Sequence, residues 1–498
     1  MTVVDRFTDW LGNAKLGPLD AAPALAVLYF LFQAVSLALI AYVSGAGVGI
    51  DDAEQLIYLP HLQAGYGGSQ PPVYNWITWL AAQVGGTNVF TLKAVKYAML
   101  IVAAASVYAA LRLLGYSQSA ASAGLLSLMV IQQVFWGAQS GLSHTLAAIA
   151  FTALSFWAMV NLIKQPKPIS YVVFGLAAAA AILAKYNCAL FIAGLLAAAL
   201  SLRDARQVLL TKWFAVSLAV ALAAMMPTLI WNIENLDALL ARTNKFDMQA
   251  ADSALPGAAV SFLEFMRACL SFLALPAVVL AIGALAARTA PRDWRHAATG
   301  GDRLLWRTVG FGALFALILV LAAEVTTLRE RWMLPVLLMM PVAMAVWTDG
   351  MQKGGAQVRK VVMIAGVACA IGAMPVLWYI HLAGGMGLGR SGRLDYPALY
   401  QEIQSAADVR TVVSDQSWIG NFRLLDPDLT LLTDEVPHFI EQIEGPAVLI
   451  WLDDKTPKGN VADLLLEAGY KLGDVRSLDV PMRFGRTRMV SFARLERE

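Results

Sequence analysis

The sequence predicts an α-helical polytopic membrane protein of about eleven transmembrane helices, followed by a small C-terminal α/β domain outside the membrane. Three observations predict it. Hydrophobic residues make up 58% of the 498-residue chain and charged residues only 14%, against about 25% charged in an ordinary soluble domain. Long apolar runs recur as far as residue 380 or so, and the mean hydropathy is +0.61. From about residue 390 onward the composition is that of a soluble protein. The net charge of +2 gives no case for a nucleic-acid partner.

A membrane-spanning helix needs about 20 predominantly apolar residues. Runs of that kind lie near 21–43, 94–111, 120–136, 144–163, 170–184, 187–201, 213–231, 259–287, 308–323, 332–348 and 361–380. The first is long enough to stay as a span, so no cleavable signal with a short apolar core is expected. The 170–201 stretch reads as a hairpin turning at Lys185-Tyr186-Asn187, because basic loops flank both its ends. The three cysteines, Cys188, Cys269 and Cys369, are scattered through apolar runs. They read as small core hydrophobes, not as a disulfide framework or a metal site.

The loops alternate in charge. One set carries Arg112; Lys164 and Lys167; Arg203, Arg206 and Lys212; Arg288, Arg292, Arg295, Arg303 and Arg307; then Lys353, Arg359 and Lys360. The other carries Asp51, Asp52, Glu54, Glu234, Asp237, Asp247 and Glu324. The excess of Lys and Arg places the first set in the cytoplasm. The N-terminus is then cytoplasmic, and the acidic loop and the C-terminal domain lie on the outer face. Lys93, Lys96, Arg242 and Lys245 fall on the outer side and run against this pattern, which the basic excess outweighs.

Two units follow, a membrane domain over 1–389 and a soluble domain over 390–498. The second contains β-like runs at Arg410–Ser414, Leu429–Thr433 and Ala447–Leu452. A helix over Asn460–Gly469 opens on asparagine and closes on glycine, as capped helices do.

The chemistry concentrates in the outer loop over 44–92. It holds Asp51, Asp52 and Glu54, then Gln70-Pro71-Pro72, then the aromatics of Val73-Tyr74-Asn75-Trp76. Carboxylates beside hydrocarbon are costly and mark functional sites, whereas a merely solvated loop does not account for acids, prolines and aromatics at one place. The aromatic stretch suits the interface and is expected to lie flat over a cavity whose rim carries Asp51 and Asp52. A carboxylate there can serve as a general base toward a hydroxyl within hydrogen-bond reach. Adjacent carboxylates repel, so either one pKa rises or a cation neutralises one of them. Two or three carboxylates suit a hard divalent cation. Only five histidines are present, without zinc-ligand spacing, so no zinc centre is read.

Cations at the outer ends of spans are few. Lys185 stands at the hairpin tip, and Arg329 and Arg331 precede the tenth run. Arg331 beside Trp332 reads equally as an interface anchor or as a ligand residue. Lys185 favours a functional role, since a structural lysine at that depth is costly. Together they form a positive patch suited to a phosphate. His144 is a ligand contact or, more simply, a helix start, and His61 has no assigned role.

Asp51-Asp52 after the first span, Pro71-Pro72-Val73-Tyr74-Asn75-Trp76, Lys185-Tyr186 and Arg331-Trp332-x-x-Pro335 resemble motifs of the GT-C glycosyltransferases. The likeness is to their protein O-mannosyltransferase and aminoarabinose (lipid A) transferase branch, and it covers residues 1–380 in topology and short segments in identity. It implies a GT-C-like fold with an extracytoplasmic C-terminal domain, in the inner membrane of a bacterium. It further implies an inverting glycosyltransferase that takes a sugar from a polyprenyl-phosphate donor to a hydroxyl of a lipid, glycan or protein acceptor. Asp51 and Asp52 then become the catalytic positions, and Glu54, Gln70, Tyr74, His144, Lys185, Tyr186 and Arg331 the substrate-binding ones. The branch often has lysine where this chain has Gln70, which shifts the expected phosphate contact to Lys185 and Arg331. A flippase of lipid-linked saccharides and a glycan polymerase or ligase are the competing classes. Transporters show inverted repeats and midplane charges; here no repeat is visible and the charges gather at one face.

Overall fold

The computed structural model describes residues 2–67, 70–236, 257–384, 391–457 and 460–497. Each of the eleven apolar runs falls on a helix or a bent helix pair. Among the described residues seven helices are long and apolar enough to cross a membrane, or up to ten if each bent pair counts as one span. The bent pairs are Gln118–Ser140, Cys188–Leu209 and Glu330–Gly350. Pro168–Ala184 is a shorter apolar helix. Helix breaks at Lys185-Tyr186-Asn187 separate Pro168–Ala184 from Cys188–Leu200, where the hairpin turn is expected.

Small residues let these helices approach. Gly194 meets the backbone of Gly312, where a Cβ would stand 2.8 Å from the Gly312 Cα. Helices Cys188–Leu200 and Gly300–Ala322 therefore touch backbone to backbone, as small residues allow inside a bilayer.

The loop over 44–92 folds around two helices. Ile50–Tyr58 carries the three acids, with Asp51 and Asp52 in its first turn, where the positive end of the helix dipole favours carboxylates. Val73–Gly85 follows the Pro71-Pro72 turn and buries Tyr74 and Asn75.

The C-terminal domain is a small sheet with two helices. Thr411–Ser414 pairs in parallel with Thr430–Thr433 and with Ala447–Leu452. Ala447–Leu452 then pairs antiparallel with Arg486–Arg497, which also receives Tyr470–Leu472 and Arg476–Met482. Three strands and the Asn460–Glu467 helix coincide with the runs read from sequence. The long hairpin over Arg476–Arg497 does not. Its strands alternate charged and apolar residues with one face open to water, and they reverse through Phe484 and Gly485, both with positive φ. With Met482 paired to Arg486, the connection is the three-residue loop 483–485.

Candidate active site

The start of the acid helix divides two adjacent carboxylates between two environments. Asp52 is 3% exposed, and its carboxylate stands 3.2 Å from Lys93 Nζ and 2.6 Å from Lys96 Nζ. Burial pushes Asp52 up, and the two ammonium groups overturn that and hold it down at about 2. Lys96 also donates to the Gly141 carbonyl at 3.3 Å. Asp52 thus joins the acid helix to the Val89–Leu114 helix and stays charged. Of the two acids expected at catalytic positions, Asp52 has both carboxylate oxygens facing lysines, which favour its ionised form. The same contact explains Lys93 and Lys96, whose position ran against the charge pattern of the loops. They answer a buried acid.

Asp51 is half-buried and pushed above the usual carboxylate range, first by burial; Lys96 and Arg331 pull against this and Asp52 adds to it. The Ser143 N–H donates to its carboxylate. Ser143 precedes the His144–Lys164 helix, so the start of that helix faces the acid.

Two cations complete the arrangement. Asn187 Nδ2 donates to the Trp332 carbonyl at 2.6 Å, which ties the Lys185-Tyr186-Asn187 turn to the residue beside Arg331. Lys185 acts through space on both Arg331 and Asp51. Residues 51, 185 and 331, far apart in sequence, therefore share one electrostatic neighbourhood. Among the described residues neither Lys185 nor Arg331 forms an ion pair. Tyr186 stands behind them, its hydroxyl bonded to Asn232 at 3.0 Å.

The other expected residues distribute around this core. His144 is buried, with Nε2 3.2 Å from Gln55 Nε2 and its ring centroid 5.5 Å from that of Tyr74. The charges of Asp52 and Asp51 both act on Tyr74, which is fully buried. Glu54 and Gln70 are half-buried, Glu54 one turn beyond Asp51. The oxygens Gln55 Oε1, Asn75 Oδ1 and Asn187 Oδ1 are buried without hydrogen-bond partners. Such groups carry a cost that a polar ligand can relieve. Among the described residues no three His, Cys, Asp or Glu side chains gather to hold a metal ion, so the divalent-cation expectation finds no ligand set there. Asp237, Arg242, Lys245 and Asp247 lie outside the described residues.

Sequence reasoning missed the contribution of the C-terminal domain. The Val48 N–H donates to Asn421 Oδ1 at 2.7 Å, and Asn421 Nδ2 donates back to the Val48 carbonyl at 3.3 Å. Arg423 Nε donates to the Leu56 carbonyl at 3.2 Å. Between them Gly420 lies against the helix, where a Cβ would fall 1.8 Å from the Ala53 carbonyl oxygen. Residues 48, 53 and 56 of the acid segment are thus gripped from one side. No local pattern reveals such contacts across more than 360 residues; the Lys93-x-x-Lys96 pair on an apolar helix was the one available signal of a buried partner.

The fold is that of a polytopic membrane protein, and comparison with known proteins gives its class. The chain is a glycosyltransferase, similar to lipid-linked sugar transferases of the GT-C type. The dolichyl-phosphate-mannose-protein mannosyltransferase family profile matches residues 69–231. The chain is 28% identical over 480 residues to the lipopolysaccharide core galacturonosyltransferase RgtB of Rhizobium johnstonii, covering 93% of this chain and 94% of that protein. It is 28% identical over 460 residues to RgtA of the same organism, covering 88% and 90%. The fold is that of ArnT from Cupriavidus metallidurans. The structure bound to undecaprenyl phosphate gives a TM-score of 0.60 at 12% identity, covering 94% of this chain and 98% of that one. The apo structure gives 0.56 at 13% identity, with 95% and 98% covered.

Proposed function

We propose that the chain moves a sugar from a polyprenyl-phosphate donor to a hydroxyl of the lipopolysaccharide core, with inversion at the anomeric carbon. The observation that carries this is the meeting of Asp51, Lys185 and Arg331, with Asp52 held ionised beside them by its two lysines. Asp51 is the one acid of the pair left to accept a proton, and burial raises its basicity. It takes the acceptor proton as the hydroxyl oxygen bonds to the anomeric carbon. The bond from that carbon to the phosphate oxygen breaks on the opposite face, and the electron pair leaves with the phosphate. Lys185 and Arg331 receive the growing charge, Arg331 by a planar fork that matches two phosphate oxygens. Glu54, Gln70, Tyr74, His144 and Tyr186 shape the sugar pocket around them.

A cavity of about 300 Å³ between the end of the acid helix and the C-terminal domain, lined by Tyr58, His61, Tyr66, Arg423, Asp428 and Gln442, offers the acceptor glycan aromatic faces and hydrogen-bonding groups. The division into units 1–389 and 390–498 rests on the change to soluble composition near residue 390, and the placement of the site and C-terminal domain in the periplasm rests on the loop charges. The names of the relatives make galacturonic acid the donor sugar to test first. Purified protein given polyprenyl-phosphate galacturonic acid and lipopolysaccharide core should form a product of opposite anomeric configuration by NMR. Retention of configuration would overturn the single-displacement reading.

A further inference from the structure

A second cavity, of about 350 Å³, lies at the other end of the helix that begins at the candidate active site. Helix His144–Lys164 has 21 residues, hence a length of about 30 Å at 1.5 Å per residue, close to the thickness of a bilayer's hydrocarbon core. Ser143, just before this helix, faces Asp51, and Lys164 at its far end lines this cavity, so the cavity opens at the opposite membrane interface.

Its lining has two characters. Val160, Ile163 and Leu202 give an apolar wall, while Lys164, Arg203 and Arg303 bring three cations against the single acid Asp204. The cavity also touches the start of helix Gly300–Ala322. There Thr299 and Asp302 form a capping box that satisfies the N–H groups of those two residues. The N–H groups of Gly300 and Gly301 remain among those a helix start leaves without an internal partner. A Cβ at Gly300 would meet nothing within 4 Å, so this backbone is open to approach. The surroundings are built: Arg307 holds the Ser201 carbonyl and hydroxyl at 2.9 and 2.8 Å. That fixes the 112° bend that turns Arg203–Leu209 away from the preceding helix. The short segment buries Ala205 and Leu209 and exposes Arg203 and Arg206, as interfacial helices do.

We infer that this cavity binds the phosphodiester headgroup of an anionic glycerophospholipid, the three cations and the Gly300–Gly301 backbone taking the phosphate and the apolar wall taking the first carbons of the acyl chains. Basic pockets between helices at the cytoplasmic interface suit such headgroups. A free phosphate shares the charge but has no use for the apolar wall. The site lies a membrane's thickness from Asp51, so the inference stands independently of the proposed reaction.

Native mass spectrometry of the full-length protein in neutral detergent tests it, with phosphatidylglycerol, phosphatidylcholine and inorganic phosphate each titrated alone. Wild-type protein should retain phosphatidylglycerol in preference to phosphatidylcholine. Removing two cations in the double variant Arg203→Gln/Arg303→Gln should weaken phosphatidylglycerol binding about thirty-fold, from about 1 kcal/mol per basic residue, leaving phosphatidylcholine binding and sugar transfer unchanged. Lys164→Gln, at an exposed position, gives a second reading should the double variant fold poorly, and should weaken phosphatidylglycerol alone. Equal retention of both lipids by wild type, undiminished phosphatidylglycerol binding by the variants, or saturable binding of inorganic phosphate without lipid preference would each overturn the inference.

Discussion

Lys96 Nζ lies 2.6 Å from the Asp52 carboxylate with both side chains buried, and this contact gives the two neighbouring acids different environments. Asp52 keeps its charge because two lysines surround it, and Asp51 is left beside them to change protonation. The pair answers the repulsion between adjacent carboxylates by giving each a different partner.

Asp52→Asn should therefore destabilise the fold. It leaves Lys93 and Lys96 as buried charges without their acid, and breaking a buried pair costs about 3–5 kcal/mol. Thermal melting in detergent should show a clear loss for Asp52→Asn. Asp51→Asn should melt no lower than wild type at neutral pH, because a buried carboxylate with a raised pKa opposes folding once it ionises. Equal losses in both variants would remove the division of roles.

The pH dependence follows from the same environment. A general base must be deprotonated, so transfer should fall as pH drops through a midpoint above the ordinary carboxylate range, since burial raises Asp51. Arg331 pulls that value down, so Arg331→Gln should move the acid limb upward in pH. An acid limb that stays in place would separate Arg331 from Asp51.

Arg331 also distinguishes phosphate binding from membrane anchoring. Arg331→Lys should raise the donor KM, because an ammonium lacks the planar fork. An anchor role predicts normal transfer for the lysine variant, since lysine snorkels as well. Assay of both variants at matched expression reads the difference.

The grip of the C-terminal domain on the acid helix predicts a remote effect on chemistry. Gly420→Ala places a methyl against the Ala53 carbonyl and should displace Asp51, lowering kcat more than it raises the donor KM. Asn421→Ala removes both bonds to Val48 and should act in the same direction with a smaller steric effect. Donor affinity falling in step with kcat would instead indicate general unfolding, which a melting curve would show.

Much of this was legible before the structure. Helical spans announce themselves because a bilayer demands long apolar runs, and the acid-rich loop stood out because carboxylates are rare at that depth. Lys185 and Arg331 were readable as scarce cations on one face. What could not be read were partnerships formed in three dimensions. Lys93 and Lys96 looked like exceptions to the charge pattern until Asp52 met them. Asn421 and Arg423 are ordinary polar residues of a soluble domain, and their value lies in backbone groups of Val48 and Leu56 that carry no sequence signal. The Arg476–Arg497 hairpin escaped because its solvated face dilutes the apolar alternation to a weak pattern.

The most direct measurement is the turnover of Asp51→Asn, purified and shown by melting to be folded, against wild type with the same donor and core acceptor. Loss of the base should slow transfer by about 10²–10⁴-fold with the donor KM little changed, since Lys185 and Arg331 remain. Transfer within a few-fold of the wild-type rate would contradict the assignment of Asp51 as the base.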